Sequence, residues 1–486
     1  MLLARDSPPG ALRPMTDGQP PTHFDVIVIG GGPGGYPTAI RARQLGLTVA
    51  LIESTHLGGI CLNWGCIPTK ALLYSAEVFQ LAQNLSEYGV QAGGEPTADL
   101  PAMVKRSRRV SKRLTTGIKH LMKKNEVEVF DGFGRLAGPG QVIVEKDGAI
   151  VATLSGANVV LATGARSRSL PGLEPDGDKI WTSKEAMTQD FIPPTLLVVG
   201  SGAIGMEFAS FYSDLGTEVT VVEALPQILP VEDAEISDVV VKNFKKRGVV
   251  FHTDTIVSNL ESVGDGMRAT ISPKDGEPTV AEFSRVILAI GIVGNVENLG
   301  LEQTGVVVDR THIVTNEWLE TGEPGVFAIG DVAGPPWLAH KATHEGVLVA
   351  ERIAGLPNLH PIDPKRIPGC TYCHPQIASI GLTEARALEE GHEIKVGRFP
   401  FRGNGKAIAM GEPDGMFKTI FDANSGAILG AHLVGHGVTE LIGTISTAMQ
   451  LESTEVEIMH SVFPHPTLSE ALHESVLEAF GHAIHI

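Results

Sequence analysis

The sequence predicts an α/β protein in which one strand–turn–helix–strand unit occurs twice. Three observations carry this expectation. Two glycine-rich turns each follow an apolar run, an acidic residue closes the next apolar run in both, and shorter strands and helices take over from Pro361. In the first unit, Phe24–Ile29 reads as a buried strand entering Gly30-Gly31-Gly32-Pro33-Gly34-Gly35. A helix-like stretch then reaches Leu45, and a strand over Thr48–Ile52 ends at Glu53. In the second, Thr195–Val199 enters Gly200-Ser201-Gly202-Ala203-Ile204-Gly205, a helix runs to Leu215, and Glu218–Val222 ends at Glu223. One such glycine pattern alone is weak, but with strand, helix and acid in place it marks a Rossmann-like dinucleotide site. Gly30 and Gly200 make the turn, Gly32 and Gly202 let backbone approach a pyrophosphate, and Gly35 and Gly205 let helix pack on sheet. Helix N-terminal amides face the phosphates. Glu53 and Glu223 are placed to accept ribose hydroxyls, and a carboxylate at 223 favours NAD over its 2′-phosphorylated form. Pro37 must fall in the opening turn of its helix, where no intrahelical amide is lost.

At 486 residues the chain is too long for one ordinary core. Its net charge of −18 argues against phosphate-backbone partners. No apolar run is long enough to span a bilayer. Residues 1–22, with Pro8, Pro9, Pro14, Pro20 and Pro21, read as a disordered arm, with either Met1 or Met15 as the start. A soluble, cytoplasmic protein is expected. Four cysteines make no disulfide scaffold in a chain this long, and a redox-active pair in a reducing compartment fits better.

The remaining segments follow in order. Glu77–Lys124 reads as helical, with Lys105, Arg106, Arg108, Arg109, Lys112 and Arg113 as a solvated basic face. Strands are expected at Val127–Phe130, Gln141–Glu145 and Asn158–Leu161, the last entering Ala162-Thr163-Gly164-Ala165. Gly325–Ile329 matches it and ends in Gly330-Asp331. Cys370-Thr371-Tyr372-Cys373-His374 has the spacing of a haem attachment or half a zinc site. No second ligand pair stands near it, and structural thiols are the expectation. The histidines at 432, 436, 473, 482 and 485 read as surface or core residues, and no metal site is assigned.

The chemistry concentrates in Gly58–Lys70, which holds Cys61 and Cys66 with four residues between them. Residues five apart in a helix have Cα atoms roughly 8–9 Å apart, and a disulfide needs under about 7 Å. If the two pair, the backbone between them leaves regular helix, and Gly65 and Pro68 supply the break and restart.

With these motifs together, the chain resembles the pyridine nucleotide-disulfide oxidoreductases over nearly all of residues 23–486, and among them the dihydrolipoamide dehydrogenases. Cys61–Cys66 followed by Ile67-Pro68-Thr69-Lys70, and His465-Pro466-Thr467-Leu468-Ser469-Glu470, carry the resemblance. Glutathione reductase-like chains have Val-Pro-Lys-Lys after the second cysteine, and mercuric reductase-like chains have a further pair near the C-terminus; this chain has neither. Ile60, Ile292 and Phe463 depart from the residues frequent in the family.

The resemblance implies an FAD domain (23–165), an inserted NAD domain (166–290), a central region returning to FAD (291–360) and an α+β dimerisation domain (361–486). It implies FAD contacts at Gly30, Gly32, Gly35, Glu53, Lys70, Gly138, Gly164, Asp331 and Ala339. NAD contacts fall at Gly200, Gly202, Gly205, Glu223, Val257 and Gly291. It implies a Cys61–Cys66 disulfide, with Cys61 meeting the substrate and Cys66 the flavin, and Lys70 paired with Glu207. His465 is the base, oriented by Glu470 and supplied by the second subunit of a homodimer. Thr467 and Glu470 also fit a helix-capping box. The implied reaction is NAD-dependent oxidation of protein-bound dihydrolipoyl groups in 2-oxoacid dehydrogenase or glycine-cleavage complexes. Lipoyl domains and a basic peripheral-subunit-binding domain would be partners. Another FAD-dependent disulfide reductase or an NAD(P)H oxidase on the same scaffold is the alternative, and a mainly structural subunit is a third.

Overall fold

The structure is a computed structural model that describes residues 22–91 and 93–486. The expected arm and the choice between Met1 and Met15 lie, Thr22 apart, outside the described residues. The chain divides into two compact units. One takes residues up to Pro68 with Arg106–Ser167 and Ile292–Ile362; the other takes Thr69–Lys105, Arg168–Gly291 and Asp363–Ile486. Thr69–Lys105, read within the FAD domain, is thus grouped with the second unit.

The first unit is built on a seven-stranded sheet. Glu128–Asp131, Val49–Glu53, His23–Ile29 and Ala149–Leu161 lie in that order, followed by Gln141–Lys146 and Phe133–Gly138. Val326–Ala328 pairs in parallel with Ala149–Leu161, so the chain returns to this sheet after its excursion through 168–291. His23–Ile29 pairs in parallel with both neighbours. Its last four residues, Val26–Ile29, are an unbroken buried apolar run because both faces are covered there. Val26 and Val28 pack with Ala39 and Ala42 of the helix Gly35–Gln44, and Ile27 and Ile29 with Val142 and Val144. Pro37 is the third residue of that helix, within its opening turn.

The second unit holds three sheets. Val250–His252, Glu218–Val222, Thr195–Val199, Arg285–Leu288 and Ile180–Trp181 form a five-stranded sheet in which every pairing is parallel. Thr255–Val263, Gly266–Pro273 and Thr279–Phe283 form an antiparallel one. Gly369–Thr371, Gln376–Gly381, Ile428–Gly435, Met416–Asp422 and Ile394–Pro400 form the third, also antiparallel. A buried ion cluster ties this last sheet to the start of the helix Ala234–Lys246. Lys418, 1% exposed, reaches Asp233, Glu235 and Glu384 at 2.8, 3.0 and 2.7 Å.

One expectation about elements changes. Glu77–Lys124 is not one helical stretch but the end of Cys66–Gln83, a short turn of 3-10 helix, and Leu100–Lys124. Gly89, at φ +71°, ends the turn, and Gly93, Gly94 and Pro96 follow before helix resumes. All of these residues disfavour helix.

Candidate active site

The cysteine motif is two helices with a break between them. Gly58, in the left-handed region at φ +91°, starts Gly59–Trp64, which carries Cys61. Gly65, at φ −149° and ψ −118°, leaves helical geometry, and Cys66 opens the helix to Gln83. The break that a pairing of the two sulfurs requires is therefore present at the glycine. Both cysteines are half-buried. Arg108 braces this turn, donating to the Asn63 carbonyl at 2.7 Å with its guanidinium over the Trp64 ring. This corrects the reading of Arg108 as part of a solvated face; Lys105, Arg109, Lys112 and Arg113 are exposed as expected.

Lys70 lies one helical turn after Cys66. Its ammonium donates to both oxygens of Glu207 at 2.7 Å, a carboxylate only 5% exposed in the helix Ala203–Asp214. Tyr372, which the sequence gave no reason to single out, holds both partners. Its amide donates to Glu207 at 3.0 Å and the Lys70 ammonium stands 4.6 Å from its ring centre. Beside it, burial foremost and then the Glu232 charge push the Cys370 thiol up to about 11, and burial pushes the Cys373 thiol up as well. Both are poor nucleophiles there. Among the described residues no group of three or more His, Cys, Asp or Glu side chains is placed to hold a metal.

His465 and Glu470 form a second constellation. The His465 ring nitrogen Nδ1 is 2.9 Å from Glu470 Oε1, while Oε2 accepts the Thr467 amide at 2.9 Å. One carboxylate therefore serves both ring and backbone, one oxygen each. Burial would raise the Glu470 carboxyl, but the Thr467 amide and the His465 ring outweigh it and hold the group below its ordinary range. Only half of the capping box forms, because the Thr467 hydroxyl donates to the Pro464 carbonyl instead of receiving a helix amide. Phe463 packs near His473, with ring centres 5.7 Å apart.

The two glycine loops fit a dinucleotide by their clearances. A Cβ on Gly35 would lie 1.8 Å from the Gly30 carbonyl oxygen, and one on Gly205 would lie 2.0 Å from that of Gly200. These glycines pack helix start onto strand end. A Cβ on Gly202 would meet nothing within 4 Å, and one on Gly32 only Gly59 Cα at 3.8 Å. The second glycine of each loop thus faces open space, where a phosphate would sit. Glu53 Oε2 accepts the Gly31 amide at 2.8 Å, and Glu223 Oε2 takes the Ser201 amide and hydroxyl at 2.8 and 2.7 Å. Both carboxylates are thereby pinned across their loops. Glu53 Oε2 and Glu223 Oε1 each take a single donor and keep capacity for a ribose hydroxyl.

Of the other expected contacts, Gly164 follows Ala149–Leu161 at φ +70°. Asp331 stands in the turn after Val326–Ala328, and Ala339 opens the helix Ala339–Ile353. A buried Lys341–Glu345 pair at 2.8 Å supports the Asp331 turn, with Glu345 accepting the Gly330 amide. Gly291, at φ +102°, has open space at its Cβ, whereas the Val257 side chain is buried with Val199 and Val222. Any contact of Val257 with a nucleotide is through its main chain.

Gly138 does not fit its expected place. It pairs with Gln141, Gln141 with Ser155, and Ser155 with His23. It therefore lies at the His23 end of the sheet, whereas the glycine loop leaves from Ile29 about 20 Å along the strand. Gly134 is at the right end, where a Cβ would press on the side chains of Ile29 and Ile52 at 3.1 and 3.2 Å.

These features agree with the comparisons to known proteins. The pyridine nucleotide-disulphide oxidoreductase family matches residues 24–346, and its dimerisation domain matches residues 367–476. The chain is 54% identical to a dihydrolipoyl dehydrogenase of Zymomonas mobilis, over 95% of this chain and 99% of that one. It is 52% identical, with the same coverages, to one of Rhizobium etli. Among solved structures, LpdA of Mycobacterium tuberculosis matches with a TM-score of 0.87 at 27% identity, over 94% of this chain and 99% of that one. The disulfide reductase RclA of Escherichia coli shares the fold, with a TM-score of 0.83 at 24% identity over 93% and 99%. The chain belongs to the pyridine nucleotide-disulphide oxidoreductase family.

Proposed function

We infer that this chain is a dihydrolipoyl dehydrogenase, a flavoprotein that oxidises dihydrolipoyl groups with NAD. The observation that carries this is 54% identity, along nearly the whole of both chains, to an enzyme of that name. FAD is held through Gly30, Gly32, Gly35, Glu53, Gly164, Asp331 and Ala339, and NAD through Gly200, Gly202, Gly205, Glu223, Val257 and Gly291. When bound, FAD supplies two-electron transfer between the thiol pair and NAD.

The residues then divide the thiol chemistry. A dihydrolipoyl thiolate attacks Cys61 of the oxidised pair, the sulfur–sulfur bond breaks, and Cys66 leaves as thiolate. His465 takes the proton of the second dihydrolipoyl thiol, which displaces Cys61 and closes the lipoyl disulfide. The substrate has then lost two electrons, and Cys61 and Cys66 have gained them. Glu470 holds the His465 Nδ1–H, leaving Nε2 to act as base. Lys70, paired with Glu207, is the further FAD contact, where its positive charge would favour negative charge on the ring.

An anaerobic assay of the purified protein tests this. Dihydrolipoamide with NAD is expected to turn over. Activity with glutathione disulfide and NADPH alone would refute both the substrate and the preference assigned to Glu223.

The active form is a homodimer, in keeping with the family's dimerisation domain. We assign lipoyl domains of 2-oxoacid dehydrogenase or glycine-cleavage complexes as its partners, with a basic subunit-binding domain attracted by the net charge of −18. Co-purification that weakens with salt checks this. No described helix is long and apolar enough to cross a membrane. A cysteine pair that cycles between dithiol and disulfide suits a reducing compartment, and the cytoplasm is the proposed location.

A further inference from the structure

The helix Leu100–Lys124 carries nine of the chain's 38 lysines and arginines and no aspartate or glutamate. The whole chain has a net charge of −18, so this helix is a positive strip on a negative molecule. Arg109, Lys112, Arg113, Thr116, Lys119 and Lys123 recur at intervals of three and four, which sets them on one face, and all are exposed. The opposite face is anchored. Ser111, Ile118 and Met122 are buried, and Arg108 donates to the Asn63 carbonyl at 2.7 Å. The Thr115 hydroxyl donates to Asn63 Oδ1 at 3.2 Å, and the Asn63 amide group donates to the Leu57 and Gly59 carbonyls at 3.2 and 2.9 Å. Asn63 lies on Gly59–Trp64, the helix that carries Cys61. The basic face thus belongs to an element fastened to the thiol turn.

Neither helix stability nor internal pairing accounts for these charges. Lys123 and Lys124 stand in the last turn, where the helix dipole favours cations. Arg109, Lys112 and Arg113 stand in the middle, beyond that reach. Arg109 with Arg113, and Lys119 with Lys123, are like charges four apart, an arrangement that weakens a helix. None of these five side chains pairs with a carboxylate among the described residues. Exposed cations elsewhere do: Lys146 pairs with Asp131, Lys246 with Asp414 and Arg268 with Glu282.

We propose that the exposed face of Leu100–Lys124 is the docking surface for the protein that carries the dihydrolipoyl group, and that this carrier presents an acidic surface to it. The inference rests on the dihydrolipoyl dehydrogenase reading. A dihydrolipoyl group attached to a protein brings that protein against the surface around Cys61. Opposite charge there speeds and orients the encounter without tight binding, which suits a carrier that leaves after each turnover. A second copy of this chain does not fit the same face, because two-fold symmetry would set cation against cation. A long polyanion, such as nucleic acid or an anionic membrane, would meet the negative remainder of the molecule beside the strip. A small acidic domain matches the strip alone.

The test uses the holoenzyme with Arg109→Glu, Lys112→Glu and Arg113→Glu combined. A control of equal charge change combines Lys242→Glu, Lys245→Glu and Lys274→Glu, all exposed and off this helix. Each is assayed with NAD and two substrates: free dihydrolipoamide, which has no carrier to dock, and a reduced lipoyl domain of net negative charge. The helix variant should keep kcat and KM for free dihydrolipoamide within about twofold and lose about tenfold or more in kcat/KM for the domain. The gap from wild type should close at about 0.5 M salt. The control should match wild type with both substrates. If free dihydrolipoamide is oxidised and the helix variant handles the domain as wild type does, the docking inference fails while the functional reading stands. A loss shared equally by both substrates also overturns it, since the three residues would then support the thiol turn itself. If wild type oxidises no dihydrolipoamide, the functional reading fails, and fluorescence anisotropy with the labelled oxidised domain still decides the docking face. Binding lost in the helix variant alone upholds it. No binding by wild type, or tighter binding of duplex DNA or phosphatidylserine vesicles, overturns it.

Discussion

Glu470 shows how one residue divides two tasks, with one oxygen on His465 and the other on the Thr467 amide. A Glu470→Gln variant can keep the backbone bond, but its amide nitrogen then faces His465 as a donor and favours the ring tautomer that cannot accept a proton at Nε2. Its kcat should fall about 10²-fold or more with little change in thermal midpoint; an unaltered kcat would remove Glu470 from the mechanism. Glu232 is a different case, buried with no assigned catalytic task. Burial foremost pushes its carboxyl up to about 7 from 4.5, a Ser379 bond opposing, and Oε2 has no partner among the described residues. Because the folded value lies above the unfolded one, the stability this group contributes is complete below about pH 4.5 and is lost as pH rises through 7. The loss is about 3 kcal/mol. The thermal midpoint of wild type should therefore drop more between pH 5 and pH 8 than that of Glu232→Gln. Equal drops would mean Glu232 is solvated.

Among elements, the two glycine loops separate packing from binding. Gly205 has a carbonyl oxygen where a Cβ would go, and Gly202 has open space at φ −66°, which any residue can adopt. Gly205→Ala should therefore lower stability, whereas Gly202→Ala should fold with an unchanged melting temperature and raise the KM for NAD about tenfold or more by occupying the phosphate's approach. A Gly202→Ala enzyme with normal KM would show that no pyrophosphate lies there. These loops were legible in the sequence because parallel strands buried on both faces give unbroken apolar runs, as in Val26–Ile29 and Leu196–Val199. The antiparallel sheet of Thr255–Phe283 was not. Its strands mix Ser258, Asn259, Glu261 and Arg268 with apolar residues, and exposed and buried positions do not alternate cleanly along Thr255–Val263. Cys61, Cys66, His465 and Glu470 were legible because their chemistry is local to short motifs. Gly138 was chosen because Gly132, Gly134 and Gly138 look alike in sequence, and only the packing of Gly134 against Ile29 and Ile52 separates them. Tyr372 and Arg108 went unseen because their contacts join segments distant in sequence.

For the whole molecule, the proposed mechanism needs the thiol pair of one chain and the His465 of another. His465 is 78% exposed in the single chain, although Glu470 already orients it. An imidazole prepared by its own chain and left open to solvent suits a site completed by a second copy. Subunit exchange tests this quantitatively. Cys66→Ser and His465→Gln homodimers are each expected to be inactive. Mixed in equal amounts and allowed to exchange, half of the dimers become heterodimers, each containing one site with both mutations and one with neither. Activity should then return to about a quarter of the wild-type level per total protein, the figure that a two-fold symmetric shared site requires. If each chain supplied its own histidine, every site in the mixture would carry one lesion and no activity would return. A mixture that exchanges subunits, as native mass spectrometry can verify, yet stays inactive would assign His465 to its own chain's thiols.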